Sequence, residues 1–554
     1  MEKLPLKEAL AAFWEQLKQE RNWRATEDEH LARYIRPQIA GAYLSDGGKN
    51  TDRRPIITQL WDDTAVRAND TWARGVNSMT HNQATDWFEL KDSNEDVSRD
   101  GEALAWYGRV NQDLKKEARQ SGLYVALLNR LKDVGAMGYG AIYSYESDNK
   151  GHIQFEYVPS PECYFQLDRQ GLCRRFVRPM SLTYPMILER GIAIERCSRA
   201  VQDAHRAGAI GIQFDFRHYV FKRDEMPKVE GVEHDYAGLY VEASTGDIVQ
   251  THGFHDMPYH VLAWDKVPGS PYPASIGYTV LPEIRNLNAQ RKKFDRILDL
   301  ESDSPMLAPS QDEGKEQAAP QPGEMIYGGI SGAGQRLYDL LYQGAAGSRT
   351  LAAEVQASRN IVLEAFHNNL MLMIANGQMT ATEVASRDEK IIQAMGPFII
   401  PMMADLESII MRMFHMRMRA TAFEPMPEIF DKDTVIEVEF NGILAKAHKK
   451  LTANNVMMFY AETLQTIGAV APEEVKGGLD HGEAMRVMGD ARALPPGIVL
   501  SRDQMEKRAA ETAQQAQQQQ LMENAPGLAR AARDVAMAQK ESEGQNAGGI
   551  ALAP

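Results

Sequence analysis

Cysteine is scarce: Cys163, Cys173 and Cys197 are the only three in 554 residues, an odd count without the spacing of a zinc or redox site. A disulfide framework is not expected from them; reduced core thiols in a cytoplasmic compartment are. Long apolar runs are missing too. The longest uncharged greasy stretch, Ile391 to Ala404, is bounded by Lys390 and Asp405 and contains Pro397 and Pro401, which falls short of the ~20 residues a bilayer span needs. Met1 to Leu10 has no basic segment leading into an apolar run, so no secretory leader is expected there. Positive charge is in deficit: 61 Lys and Arg against 76 Asp and Glu leave a net −15. That balance argues against wrapping nucleic acid tightly, although an acidic body lets DNA pass without holding it.

Catalytic patterns are equally sparse. The glycine-rich stretch Gly328 to Gly334 lacks the following Lys-Ser/Thr of a phosphate-binding loop and reads as a flexible turn, which argues against an ATP-driven motor. No Gly-x-Ser-x-Gly elbow occurs. His252, His255 and His260 fall around a loop and a strand without cysteine partners, so turn and surface histidines are expected in place of a metal site. Glu383, Asp388 and Glu389 are explained by helix capping and solvated charge. The methionines 402, 403, 411, 413, 416 and 418 fit core or subunit packing better than a cofactor pocket. No catalytic residue, metal or cofactor is expected.

What is present is an ordinary globular composition, 44% hydrophobic and 25% charged, in a chain long enough for roughly two to four folding units. Residues 1–137 read as mostly helical, with segments at Leu6–Arg21, Glu27–Arg36, Leu60–Met79, Gly101–Gln120 and Leu123–Met137; Trp61, Ala65, Ala68 and Trp72 form the expected core stripe of the third. From Gly138 to about Trp264 the period drops to two, as in Ile153, Phe155 and Tyr157, predicting short antiparallel strands in a small barrel or sandwich. A helix from Thr183 to about Gly208 is expected to interrupt them.

After the Pro/Gly-rich hinge Val267 to Pro273, helical spacing returns. Val280, Ile284, Leu287, Phe294 and Leu298 put one apolar stripe on a helix from about Thr279 to Glu301. Residues 302–348 lose periodicity and hold Pro305, Pro309, Pro320 and Pro322, so an insert of short strands or turns is expected, with one helical turn at Arg336 to Tyr342. A helix then runs from Ser348 to Asn376, stopped by Gly377. Thr380 and Glu383 have capping-box spacing, and the helix they open, with a stripe from Val384 to Met413, should kink at its two prolines. A strand at Thr434–Phe440 follows, then helices at Lys446–Ile467, Pro472–Lys476 and Gly482–Met488. Beyond Ser501 the chain is rich in Ala and Gln and ends in a stretch of disordered composition.

Several motifs, in this order, are shared with one family. They are Gly138-Tyr139-Gly140-Ala141-Ile142, Val158-Pro159-Ser160-Pro161-Glu162-Cys163-Tyr164, the run Gly253 to Trp264, Leu281 to Asn288 after the hinge, and Met379-Thr380-Ala381-Thr382-Glu383-Val384. With them the chain resembles the portal proteins, or head-to-tail connectors, of short-tailed (podovirus-type) bacteriophages. It departs at Pro271 to Gly277, where members more often carry a Tyr-Gly-Arg-like step.

The resemblance implies an α+β portal fold. Its wing would be residues 1–275 (helical 1–137, β-rich 138–275), its stem helices 276–301 and 349–376, and its clip 302–348. Residues 377–445 would hold a tunnel loop, a long kinked helix and a wing strand, 446–500 a crown, and 501–554 a helix or barrel with a disordered tail. It implies a homo-oligomeric ring of about twelve copies, a virion component assembled in the host cytoplasm at one capsid vertex. Partners would be the terminase large subunit, then tail adaptor proteins, with capsid and scaffolding proteins and double-stranded DNA passing without sequence specificity; no membrane is involved. Gly377, Gln378, Met379 and Thr380, with Arg387 and Lys390, would face the DNA. Arg285, Arg291, Lys292, Lys293 and Arg296 would be stem charges for DNA proximity or intersubunit salt bridges. Two other classes are weighed against this reading: a virion scaffold or adaptor without a pore, and a cytosolic enzyme with an unrecognised site.

Overall fold

A computed structural model describes residues 5–44, 60–93, 101–147, 151–302, 306–309, 325–330, 344–375, 381–427, 430, 435–441 and scattered positions between 456 and 488. The chain forms two compact units, Met1–Ala445 and Lys446–Pro554. In the second, the described residues are helical at 456–459, 461–463 and 465. The Ala/Gln-rich tail and the expected turn at Arg336 to Tyr342 lie outside the described residues.

The first unit opens with helices α1 (Leu6–Asn22), α2 (Ala25–Ile35), α3 (Pro37–Leu44) and α4 (Thr64–Thr80). Ala65, Ala68 and Trp72 of α4 are buried as their spacing requires, whereas Trp61 is 42% exposed. The reason is local. The helix starts at Thr64, Asp62 Oδ1 accepts the Thr64 amide at 2.9 Å in the turn ahead of it, and Trp61 precedes that turn. Strand β1 (Phe88–Asp92) interrupts the helical region, followed by α5 (Gly101–Gln120) and α6 (Leu123–Met137). Gly138 ends α6 in the left-handed region at φ +87°, a conformation that favours a residue without Cβ.

The strands are β2 (Tyr139–Glu146), β3 (Ile153–Val158), β4 (Tyr164–Leu167), β5 (Cys173–Thr183), β6 (Gln213–Lys222), β7 (Tyr236–Glu242), β8 (Ile248–Phe254) and β9 (Tyr259–Ala263). They make two antiparallel sheets, ordered β3-β2-β9 and β4-β5-β6-β7-β8. The sheets meet through Phe176 and Tyr259, whose rings stack with centroids 3.9 Å apart, so they pack on one another as in a sandwich. Leu10, Phe13, Trp14 and Leu17 of α1 cover the face of the larger sheet carrying Val177, Tyr219 and Leu239. The helix expected over 183–208 is instead two short ones, α7 (Tyr184–Glu189) and α8 (Arg199–Arg206). Strand β5 runs through Thr183, and Gly191 at φ +71° turns the chain so that Ile192 N–H closes on Ile187 O at 3.1 Å.

Past the hinge come α9 (Ile276–Ser302), the parallel pair β10 (Met306–Pro309) and β11 (Met325–Ile330), then α10 (Gly344–Ala365) and α11 (Asn368–Ala375). The single helix expected at Ser348–Asn376 is therefore broken, at His367, whose φ of +50° costs a non-glycine residue about 1–2 kcal/mol. Helix α12 (Ala381–Arg419) runs on through Pro397 and Pro401 without ending. Strand β12 (Ile436–Phe440) pairs antiparallel with β1. One core joins α2–α6, the smaller sheet, α9, α10 and α12, from Leu31 to Met416. The expected mixed α+β class holds.

Candidate functional site

The elements that flank the insert are α9 and α10, and their placement begins at the hinge. Ser275 caps α9: its hydroxyl accepts the Tyr278 amide at 2.7 Å and donates to Ala136 O at 2.8 Å. One turn on, Gly277 lies so close to α6 that a Cβ there would sit 2.7 Å from Ala136 O, closer than real Cβ contacts allow. Arg24 holds the other side of the hinge. Its guanidinium donates to Pro273 O and to Met137 O (2.5 Å), and it is paired with Asp28 at 2.8 Å, both side chains buried. Burial works to lower the Arg24 pKa, but the Asp28 charge and hydrogen bond outweigh it and the pKa is raised. Such a pair positions backbone more than it stabilises, because desolvation offsets most of the Coulomb gain.

Helices α9 and α10 pack against each other, and Ser358 donates to Gln290 Oε1 at 3.2 Å between them. They run antiparallel. From the shared level of Asp62, α9 leads back in the chain from Asn288 to Gly277 on α6, while α10 leads forward from Arg359 into α11, whose Met371 lies against Gly75 of α4. At their shared level, Asp62 is a clamp. Its Oδ2 accepts two bonds from Arg359 at 2.9 and 2.8 Å, and its own amide donates to Asn288 Oδ1 at 3.1 Å. Burial would raise the Asp62 carboxyl pKa; hydrogen bonds from Thr64 and Arg359 prevail and hold it below the usual carboxylate range.

The expected apolar stripe of α9 is only half internal. Val280, Ile284 and Leu287 are buried, whereas Phe294 is half-buried and Leu298 is 40% exposed. Of the five basic residues singled out on this helix, Arg285, Lys292, Lys293 and Arg296 are exposed. Arg285, Lys292 and Arg296 share one helix face by their spacing of seven and four, and Lys292 Nζ lies 5.6 Å from the Trp61 ring. Arg291 is half-buried, 2.9 Å from Asp295 and 5.3 Å above the Phe294 ring. Gly377, Gln378, Met379 and Thr380 lie outside the described residues. Arg387 and Lys390 fall on α12 near its start, and α12 begins one residue after Thr380, where the capping-box spacing puts it.

Helix α12 is held in the body by buried polar contacts that periodicity does not reveal. Arg130 pairs with Asp405, both nearly fully buried; Arg412 donates to Ser144 Oγ at 2.7 Å and to Asp256 O at 2.6 Å; Arg417 reaches Asp113 at 2.9 Å. Burial pulls the Arg412 pKa down to about 10. The only signal for these residues in the sequence is a charged residue set into an apolar pattern, as Asp405 is between Met402 and Leu406.

The three histidines considered for metal are apart. His260 bonds Ser144 Oγ (3.3 Å), His252 bonds His218 (3.1 Å), and His255 packs on His234. Among the described residues no group of three His, Cys, Asp or Glu is arranged to hold a metal ion, and no helix is long and apolar enough to cross a membrane. The three cysteines are free and buried, and burial pushes their thiols up, Cys197 to about 11, which disfavours a reactive thiolate.

The site is thus a helix pair, α9 and α10, clamped at Asp62 and bracketing the insert in the chain. By sequence the chain belongs to the family described as bacteriophage head to tail connecting protein, which it matches over residues 7–499, and this is a structural family. It is 23% identical over 530 residues to a "Probable portal protein" of Bordetella phage BPP-1, covering 93% of each chain. It is also 23% identical over 540 residues to a "Portal protein" of Salmonella phage epsilon15, covering 95% of each.

Proposed function

We propose that the chain is the portal subunit of a phage head, with α9 and α10 as the stem, residues 302–348 as the clip and the helical and two-sheet body as the wing. About twelve copies close into a ring at one capsid vertex, and the ring serves as the channel for DNA packaging and ejection. The observation that carries this reading is the antiparallel pair bracketing the insert, because it presents the insert as far from the body as the helices reach. The clip then docks the terminase during packaging and tail adaptors afterwards, while capsid and scaffolding proteins meet the wing. The crown is residues 446–500.

About twelve copies multiply −15 to roughly −180, a field that disfavours DNA adhesion except where basic residues face inward. Residues 377–380, with Arg387 and Lys390, are the DNA-facing segment in this reading, and the exposed charges of α9 serve intersubunit pairing or DNA proximity.

The test is deletion of residues 310–345 in the full chain. Rings that still form but no longer bind terminase or adaptor support the assignment; loss of the ring itself shows that the insert is not a separate docking module.

A further inference from the structure

Helix α4 and the turn just before it touch four helices, α9, α10, α11 and α12. At its start the Asp62 clamp takes Arg359 of α10 and Asn288 of α9. Midway, Gly75 lies against Met371 of α11, so closely that a Cβ there would meet the Met371 side chain. One turn earlier the Trp72 ring lies 6.1 Å from Phe398 of α12 and 5.4 Å from Trp264, edge-on to the latter.

The far end of α4 adds a polar contact. Thr80 spends its one hydroxyl proton on Val76 O at 2.8 Å, so its oxygen must accept from His81 Nδ1–H at 2.7 Å. That fixes the tautomer of the neutral ring and leaves Nε2 as a buried acceptor. Arg130, which pairs with Asp405 of α12, keeps Nε and Nη2 buried without partners among the described residues. Burial, with the Arg130 charge beside it, pulls the His81 pKa down to about 3, so the ring stays neutral; its Nε2, like the two Arg130 nitrogens, has no hydrogen-bond partner among the described residues.

We propose that α4 is a positioning strut that fixes the stem pair against α12, so that a change at the Asp62 clamp is passed to the first half of α12. A helix of 17 residues is a rigid body about 25 Å long; the clamp ahead of it and its contacts with Met371 and Phe398 further on are met together only at one placement of the helices around it. This builds on the stem reading, but its readout does not depend on DNA.

The test is hydrogen exchange on the intact full chain carrying Arg359→Lys, which keeps the charge and loses the two-pronged bond to Asp62. Amides of residues 381–405 should exchange about five-fold faster along with those of α9 and α10. In a Phe398→Leu background, which removes the ring contact with Trp72, the effect of Arg359→Lys on α12 should fall below about two-fold, the non-additivity of coupled sites. Unchanged exchange in α12, or an equal effect in both backgrounds, overturns the strut; the second result would assign the transmission to the chain through 376–380. Coupled exchange with normal DNA packaging supports the strut and counts against a DNA role for 376–380.

Discussion

The two halves of α9 differ in kind. From Ile276 to Asn288 the helix is capped by Ser275, pressed on α6 at Gly277, packed by Val280, Ile284 and Leu287, and held by the Asp62 clamp. From Ala289 to Ser302 it packs on α10, with Gln290 accepting from Ser358, leaves Leu298 exposed and carries three exposed basic residues. A single chain is sufficient to hold the first half. The second packs on α10 but leaves Leu298 and its flanking charges in solvent, a surface that neighbouring copies would complete in the ring proposed above.

The largest expected effect in the first half is Arg24→Ala. It frees the carbonyls of Pro273 and Met137 and leaves the buried Asp28 with only the longer contacts to Arg21 at 4.0 Å and Tyr139 at 3.5 Å, at a cost of about 3 kcal/mol in chemical unfolding. Ile284→Ala should cost about 2–5 kcal/mol by leaving a cavity between α9 and the body. If either change cost under about 1 kcal/mol, the first half would be no better held than the second.

Acid should discriminate the regions next. His81, His218 and His260 are buried, and burial first of all depresses their folded pKa values. Their contribution is therefore fully present above the unfolded value near 6.5 and is lost as pH falls from there toward the folded values, by about 1.4 kcal/mol per unit for each ring. The second half of α9 has no histidine. Thermal unfolding from pH 7 to 5 should report a loss in the body, and a flat profile would refute the buried neutral state.

Ser275→Ala should cost about 1 kcal/mol as a lost N-cap. Smallest of all, Leu298→Ala and Arg296→Ala should each change subunit stability by within about 0.5 kcal/mol while weakening assembly, read by analytical ultracentrifugation. Equal stability losses in both halves would erase the comparison.

How much of this was legible in the sequence follows the same division. Strands with period two between turn glycines were readable, as were the hinge, the start of α12 and the stripe from Val280 to Leu287, because each is set by neighbours in the chain. Strand β1 was not: Phe88, Leu90 and Asp92 are too short an alternation to stand out, and their partner lies at Ile436 to Phe440. Nor was the break at His367, since a non-glycine residue there gives no sign of a positive φ. The clamps Asp62–Arg359 and Arg130–Asp405 join residues far apart in the chain, and no local period encodes such a pairing. Family membership was legible because the order of motifs survives where each motif alone is weak.

The central claim is that this chain closes into a ring, and electron microscopy of the purified full-length protein tests it most directly. Annular particles with a central hole are expected. A population of monomers or open filaments would contradict it.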